Sequence, residues 1–221
     1  MTQFAVQKII FDLDGTLVDS APDLHAATNH VLTQIGRDTV SLDQVRHMVG
    51  YGALKLIELG LEATGGMEDH TAEGLRPLFL DFYGQNITTH TRPFEGALDL
   101  LSHLKNEGYA LAVCTNKPTV LTSPILQNLG MTPFFGAVTS GDTFPFRKPD
   151  PRHIIETANL LPGDGPILMV GDSRPDIDGA KAACAHSIAV SFGYSQYPAA
   201  DLGADTVVDH LADIANLVSR A

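Results

Sequence analysis

The stretch KIIFDLDGTLVD, residues 8–19, decides how the rest of the chain is read. Its apolar run, Ile9, Ile10 and Phe11, reads as a short buried strand. The run delivers Asp12 and Asp14 two positions apart and breaks at Gly15 before Thr16. Two carboxylates at the end of a buried parallel strand repel each other and lose hydration, so they persist only beside a cation or hydrogen-bond donors. An oxygen-only set of this kind suits Mg²⁺, an octahedral ion that keeps several waters and is usually shared with a substrate phosphate. Spacing excludes an EF-hand calcium loop: counted from Asp12, position five is Thr16, and position six, where glycine is required, is Leu17.

The 221 residues, 44% of them hydrophobic, suffice for one ordinary domain or a core with a smaller insertion. A formal charge of −12 and an isoelectric point near 5.0 argue against nucleic acid or an anionic membrane as the main partner. An anionic substrate must then be drawn in by local positive groups. No basic-plus-apolar leader and no apolar run of about 18 residues is present, so a soluble cytoplasmic protein is expected, monomer or homodimer. Cys114 and Cys184 lack metal-binding spacing, and Cys114 lies in an apolar run; both are expected to be buried free thiols. The nine histidines form no H-E-x-x-H pattern and read as surface or packing residues.

After the first strand the pattern turns helical. Leu24, Thr28, Val31 and Ile35 recur at helical spacing before Gly36, and Ser41 caps a second helix through Val49. Gly50-Tyr51-Gly52 interrupts, a third helix covers 53–64, and a fourth covers 70–85 with Leu75, Leu78, Phe79 and Phe82 on its apolar face. This reads as an insertion without strands. From Arg92-Pro93 onward, helices at 97–107, 120–129, 151–160 and 177–183 alternate with strands at 109–114, 137–139, 167–170, 188–190 and 206–208. Such alternation predicts an α/β fold: a parallel sheet covered by helices, with ligands beyond the C-terminal strand ends.

The polar residues at those ends are Asp12 and Asp14, then Thr115-Asn116, then Lys148 in RKPDP, then Gly171-Asp172-Ser173 with Asp176 close behind. They should converge on one crevice. Three aspartates can hold a metal, while a hydroxyl, a backbone turn and a lysine supply the donors and positive charge that a phosphate needs.

In order and spacing, FDLDGT (11–16), VCTN (113–116), Lys148 in RKPDP and GDSRPD (171–176) resemble the four motifs of the haloacid dehalogenase-like hydrolases. DLDGTLVDSAPDL, the VGYGALKL segment (49–56), TNKP and RKPDP resemble the phosphoglycolate phosphatase branch. The resemblance implies a Rossmann-like core, residues 1–17 and 88–221, with a helical cap domain, 18–87, inserted after the first strand. It implies hydrolysis of a small anionic phosphate ester, 2-phosphoglycolate first. Asp12 would be the nucleophile, forming an aspartyl-phosphate, and Asp14 the general acid and then base. Mg²⁺ would be held by the Asp12 side chain, the Asp14 carbonyl and Asp172, with Asp176 behind them or anchoring Lys148. Thr115 and Lys148 would bind the transferring phosphoryl oxygens, and Asn116 would make a further contact.

Asp14 supplies an acid that dehalogenases proper lack, which disfavours carbon–halogen chemistry. Pro175 and Cys184 depart from the asparagine and glycine common in related sequences. The cap is expected to close over the crevice and exclude water. Its glycine-flanked turn, Gly50 to Gly52 before Ala53, is the expected contact for the far end of the substrate, with Arg46, His47 and Lys55 nearby. Another sugar or small-metabolite phosphate, a β-phosphoglucomutase-like phosphomutase and, in a different class, a receiver-type signalling module remain as alternatives. A receiver places its phosphorylated aspartate after a later strand and has no large helical insertion.

Overall fold

The computed structural model describes residues 3–67 and 69–221. The chain begins with strands β1 (Phe4–Val6), β2 (Lys8–Phe11) and β3 (Val18–Asp19). Helices α1 (Ala21–Gln34), α2 (Leu42–Arg46), α3 (Ala53–Ala63) and α4 (Ala72–Gln85) follow, and β4 (Arg92–Pro93) brings the chain back. The second part runs α5 (Ala97–Asn106), β5 (Ala110–Cys114), α6 (Thr119–Asn128), β6 (Ala137–Thr139), α7 (Pro151–Asn159) and β7 (Ile167–Gly171). It closes with α8 (Arg174–Ala182), β8 (His186–Val190), β9 (Thr206–Val208), α9 (Ile214–Leu217) and β10 (Val218–Arg220).

Six strands form one parallel sheet in the order β6-β5-β2-β7-β8-β9. Numbered by their sequence within this sheet, that is 3-2-1-4-5-6, the doubly wound Rossmann order. The first strand therefore lies in the middle, and all four of its residues are buried. Its side chains alternate between faces as period two requires. Ile9 and Phe11 join the cluster containing Leu101 and Leu104 of α5, whereas Ile10 joins Ile154 of α7 and Ala180 of α8. The order of crossovers reverses between β2 and β7, where parallel sheets open a crevice for ligands.

Helices α1 to α4 pack on one another, α1 against α4, α3 and α2, and α3 against α4. Ser41 and Gln44 form a reciprocal capping box that starts α2, and the Thr71 hydroxyl accepts the Gly74 N–H to start α4. Three details differ from the expectation. The α2 helix stops at Arg46 rather than Val49, because Gly50 and Gly52, at φ +106° and +92°, demand an open loop. The segment 21–87 carries no strand among its described residues, as expected, but the short strands that flank it form an unexpected pair: β3 runs antiparallel to β4, Val18 opposite Pro93 and Asp19 opposite Arg92. Beyond the main sheet, β1 also pairs with β10.

The cysteines divide. Cys114 is buried, but Cys184 is exposed, against the expectation for both. Cys184 stands just past α8 at φ +55°, with its N–H donating to the Lys181 carbonyl and the Ala185 N–H to the Ala180 carbonyl. These two bonds define a Schellman motif whose left-handed position normally takes glycine. Replacing Cys184 by glycine is therefore expected to stabilise the protein by about 1 kcal/mol, read as a higher denaturation midpoint.

Candidate active site

The strand ends do converge. Asp12 follows β2, Thr115 follows β5 and Asp172 follows β7, while Lys148 comes from the loop before α7 and Asp176 from the first turn of α8. Carboxylate oxygens of Asp12, Asp172 and Asp176 lie within 4.8 Å of one another, all buried. The Lys148 ammonium sits among them, 2.6 Å from Asp176 Oδ1 and 2.9 Å from Asp12 Oδ1. Asp12 Oδ1, though near Lys148, has no hydrogen bond of good direction and remains an orphaned buried acceptor.

Burial raises the Asp12 carboxyl to about 7; Lys148 pulls it down, while Asp176 and Asp14 push it further up. Asp172 is also raised, first by burial and then by Asp176 and Asp12. A metal arriving here must displace these protons, as hard-cation sites do. Lys148 is raised in turn by Asp12 and Asp176, against its own desolvation, and stays charged.

Each carboxylate is held by named donors. Asp172 accepts the Thr16 hydroxyl at 3.1 Å and the Tyr194 N–H at 2.7 Å. Asp176 accepts the Ser173 N–H at 3.0 Å and its hydroxyl at 2.6 Å, so one side chain both caps α8 and anchors Lys148. Gly15 lets the turn approach: a Cβ there would lie 2.4 Å from Asp172 Oδ2, and its φ of +84° disfavours any side chain.

Asp14 stands apart from the three. Its carboxylate accepts the Ser20 hydroxyl at 2.5 Å and the Lys117 ammonium at 3.0 and 3.2 Å. Lys117 in turn donates to the Tyr83 hydroxyl at 2.8 Å, from α4. Asn116 donates from Nδ2 to the Lys148 carbonyl at 3.0 Å and to the Gly50 carbonyl at 3.4 Å, linking the β5 loop to the Lys148 loop and to the glycine turn. His153, wholly buried on α7, accepts the Lys148 N–H at Nδ1, and burial together with Lys148 lowers it to about 4.

Between the sheet edge and the helices lies a cavity of about 40 Å³, lined by Asp12, Asp14 and Thr115 from the sheet side and by Gly50, Gly52 and Phe79 from the helical segment. Every expected site residue is in or beside this crevice, but the neighbouring charges are not. Arg46 pairs with Asp43 and Asp19, and Lys55 with Glu58, and neither lines the cavity. The cation that does line it is Lys117, with Tyr83 beside it. Sequence reasoning missed both, although Lys117 directly follows Thr115-Asn116 and Tyr83 lies one helical turn beyond Phe79.

The chain is similar to known proteins. The profile of the "Haloacid dehalogenase-like hydrolase" family matches residues 9–190. A phosphoglycolate phosphatase of Agrobacterium fabrum is 42% identical over 206 residues, 92% of this chain and 88% of that protein. One of Caulobacter vibrioides is 42% identical over 208 residues, 93% and 88% of the two chains. A crystal structure described as a "predicted phosphoglycolate phosphatase" from Haemophilus somnus superposes with a TM-score of 0.88 at 31% identity, covering 98% of each chain. No described helix is long and apolar enough to cross a membrane. With its motifs gathered at the switch point of a Rossmann-ordered sheet, the chain belongs to the haloacid dehalogenase-like hydrolases, in the phosphoglycolate phosphatase branch, and is a phosphatase.

Proposed function

We propose that this phosphatase hydrolyses 2-phosphoglycolate to glycolate and phosphate, with Mg²⁺, through a phosphorylated Asp12. The observation that carries the substrate is Lys117. It is a buried cation among the residues lining the cavity, and it touches Asp14. In 2-phosphoglycolate the carboxylate lies two bonds from the leaving oxygen, so an acid that protonates that oxygen has the carboxylate as its neighbour. The Lys117 ammonium lies 3.0 Å from Asp14 Oδ1 and 2.8 Å from the Tyr83 hydroxyl, and a buried ammonium favours a carboxylate by a charge-assisted hydrogen bond. The small cavity suits a two-carbon acid.

In this reading the Asp12 carboxylate attacks phosphorus while Lys148 and the Thr115 hydroxyl steady the equatorial oxygens. Asp14 gives its proton to the departing glycolate oxygen, then takes one from the water that opens the aspartyl-phosphate. Ser20 and Lys117 hold Asp14 in place for both steps. Asp12, Asp172 and the Asp14 carbonyl would hold Mg²⁺, with Asp176 behind them; when bound it neutralises phosphoryl charge that Lys148 alone does not offset. Residues 18–87 would act as the cap, excluding water when closed.

Lys117→Met should lower kcat/KM for 2-phosphoglycolate about 10- to 100-fold more than for ethyl phosphate, which has no carboxylate. Any loss through a misplaced Asp14 falls on both esters alike, so their ratio isolates the carboxylate contact. Equal losses on the two would remove Lys117 from substrate recognition. Gly52→Pro cannot serve the same purpose for the glycine turn, since proline is incompatible with φ +92° whatever the turn contacts.

A further inference from the structure

Tyr194 takes no part in the chemistry above, yet it is buried and bonded to three separate places. Its backbone N–H donates to Asp172 Oδ2 at 2.7 Å. Its phenol donates to Asp19 Oδ1 at 2.5 Å and accepts the Ala21 N–H at 3.0 Å. Asp19 ends β3 and Ala21 begins α1, so the phenol grips the point where the chain leaves the sheet for the helices. The ring rests on the aspartate turn: a Cβ on Gly15 would lie 2.9 Å from its Cδ2. Gly193 brings the Tyr194 backbone there, since a Cβ on it would lie 2.1 Å from the Asp172 Cβ.

The chain passes between the sheet and the four helices through β3 and β4, whose pairing is two residues long. Any rotation of the helices over the crevice must be absorbed at this pair, because short element-terminal segments are where hinges sit. Asp19 is held from both sides of it. Tyr194 reaches one carboxylate oxygen from the sheet, and Arg46 of α2 approaches the other at 3.7 Å. The same loop carries the acid: the Gly15 N–H donates to the Val18 carbonyl at 3.0 Å, and Asp14 bridges Val18. Burial and Asp19 push the phenol far above its usual range, so it stays a hydrogen-bond donor.

We propose that Tyr194 is a positioning residue that fixes the closed orientation of the helical cap, by pinning β3 and the start of α1 to the strand-end loop that holds Asp172. The proposal rests on the reading of residues 18–87 as a cap that opens and closes. A purely structural alternative, in which Tyr194 only fills space beside Phe94 at 6.4 Å, makes a different prediction.

Tyr194→Phe keeps the ring and the N–H to Asp172 and removes only the hydroxyl. With a simple phosphate monoester and saturating Mg²⁺, KM should rise about tenfold while kcat stays within about twofold, because closure and not the chemical step is weakened. Amide hydrogen exchange across residues 19–24 should accelerate in the same variant, read without turnover. Asp19→Ala, which also releases Arg46, should raise KM at least as much, and the double variant no more than Asp19→Ala alone. Multiplying effects, a fall in kcat at constant KM, or unchanged exchange would each overturn the proposal. The underlying cap reading is checked separately in the wild type. If inorganic phosphate with Mg²⁺ leaves exchange in residues 19–24 unchanged, closure itself is contradicted, whatever Tyr194→Phe does.

Discussion

Asp12→Asn is expected to reduce phosphate release by about 10⁴-fold or more, since the amide cannot form the phosphorylated intermediate. The same substitution should stabilise the metal-free fold at neutral pH. Burial lifts the Asp12 carboxyl from 3.8 to about 7, so the folded protein holds a proton that the unfolded chain has already released. Between those values stability falls as pH rises, and above about 7 the full penalty of the buried charge is present. Asparagine carries no such charge, and Lys148 keeps Asp176 at 2.6 Å. The two effects oppose each other in sign: thermal unfolding at pH 8 without metal should show a higher Tm than wild type, beside an enzyme that releases no phosphate. A lower Tm would mean that Asp12 is held by partners other than those seen.

Lys148→Met should be the most damaging single change to the fold of the site. Lys148 is 3% exposed and ion-paired with two carboxylates, and removing one partner of a buried ion pair costs about 3–5 kcal/mol. Asp12, Asp172 and Asp176 are then left together without a cation, and the penalty is greatest when all are ionised. The destabilisation should accordingly be full at alkaline pH and shrink as pH falls and the raised carboxyls take up protons. Added Mg²⁺ should recover part of the lost Tm, because it binds the folded cluster and not the unfolded chain. Turnover should stay about 10²- to 10³-fold down even then, since one donor to the transferring oxygens is gone. Denaturant titrations across pH, with and without metal, and initial rates read all of these. A pH-independent loss that metal does not relieve would show that Lys148 supports the site through packing alone.

Much of this site was legible before the fold was known, and for a physical reason. Buried parallel strands are short apolar runs, so the first polar residue after each run marks the ligand-facing edge. Asp12, Thr115 and Asp172 all obey that rule, and the doubly wound order places them side by side. Lys117 and Tyr83 escaped it because they meet across the cleft, 34 positions apart in sequence, through the reach of long side chains. Arg46 and Lys55 misled for the converse reason. They are near the glycine turn in sequence, but α3 turns Leu56, Ile57 and Leu61 inward, which leaves Lys55 against Glu58 in solvent. The β3 and β4 strands are two residues each, too short for any alternation to register, and β1 and β10 are three. Cys184 was legible as a departure from glycine; that it occupies a left-handed helix terminus required coordinates.

The central claim is that Asp12 carries the phosphoryl group. Its most direct test is acid quenching of the enzyme during turnover of 2-phosphoglycolate with Mg²⁺, followed by mass analysis of the intact chain and its peptides. The account predicts one added phosphoryl group, on the peptide containing Asp12, absent when the metal is chelated and absent in Asp12→Asn. Turnover that persists in Asp12→Asn, or a phosphoryl group found on another residue, would contradict it.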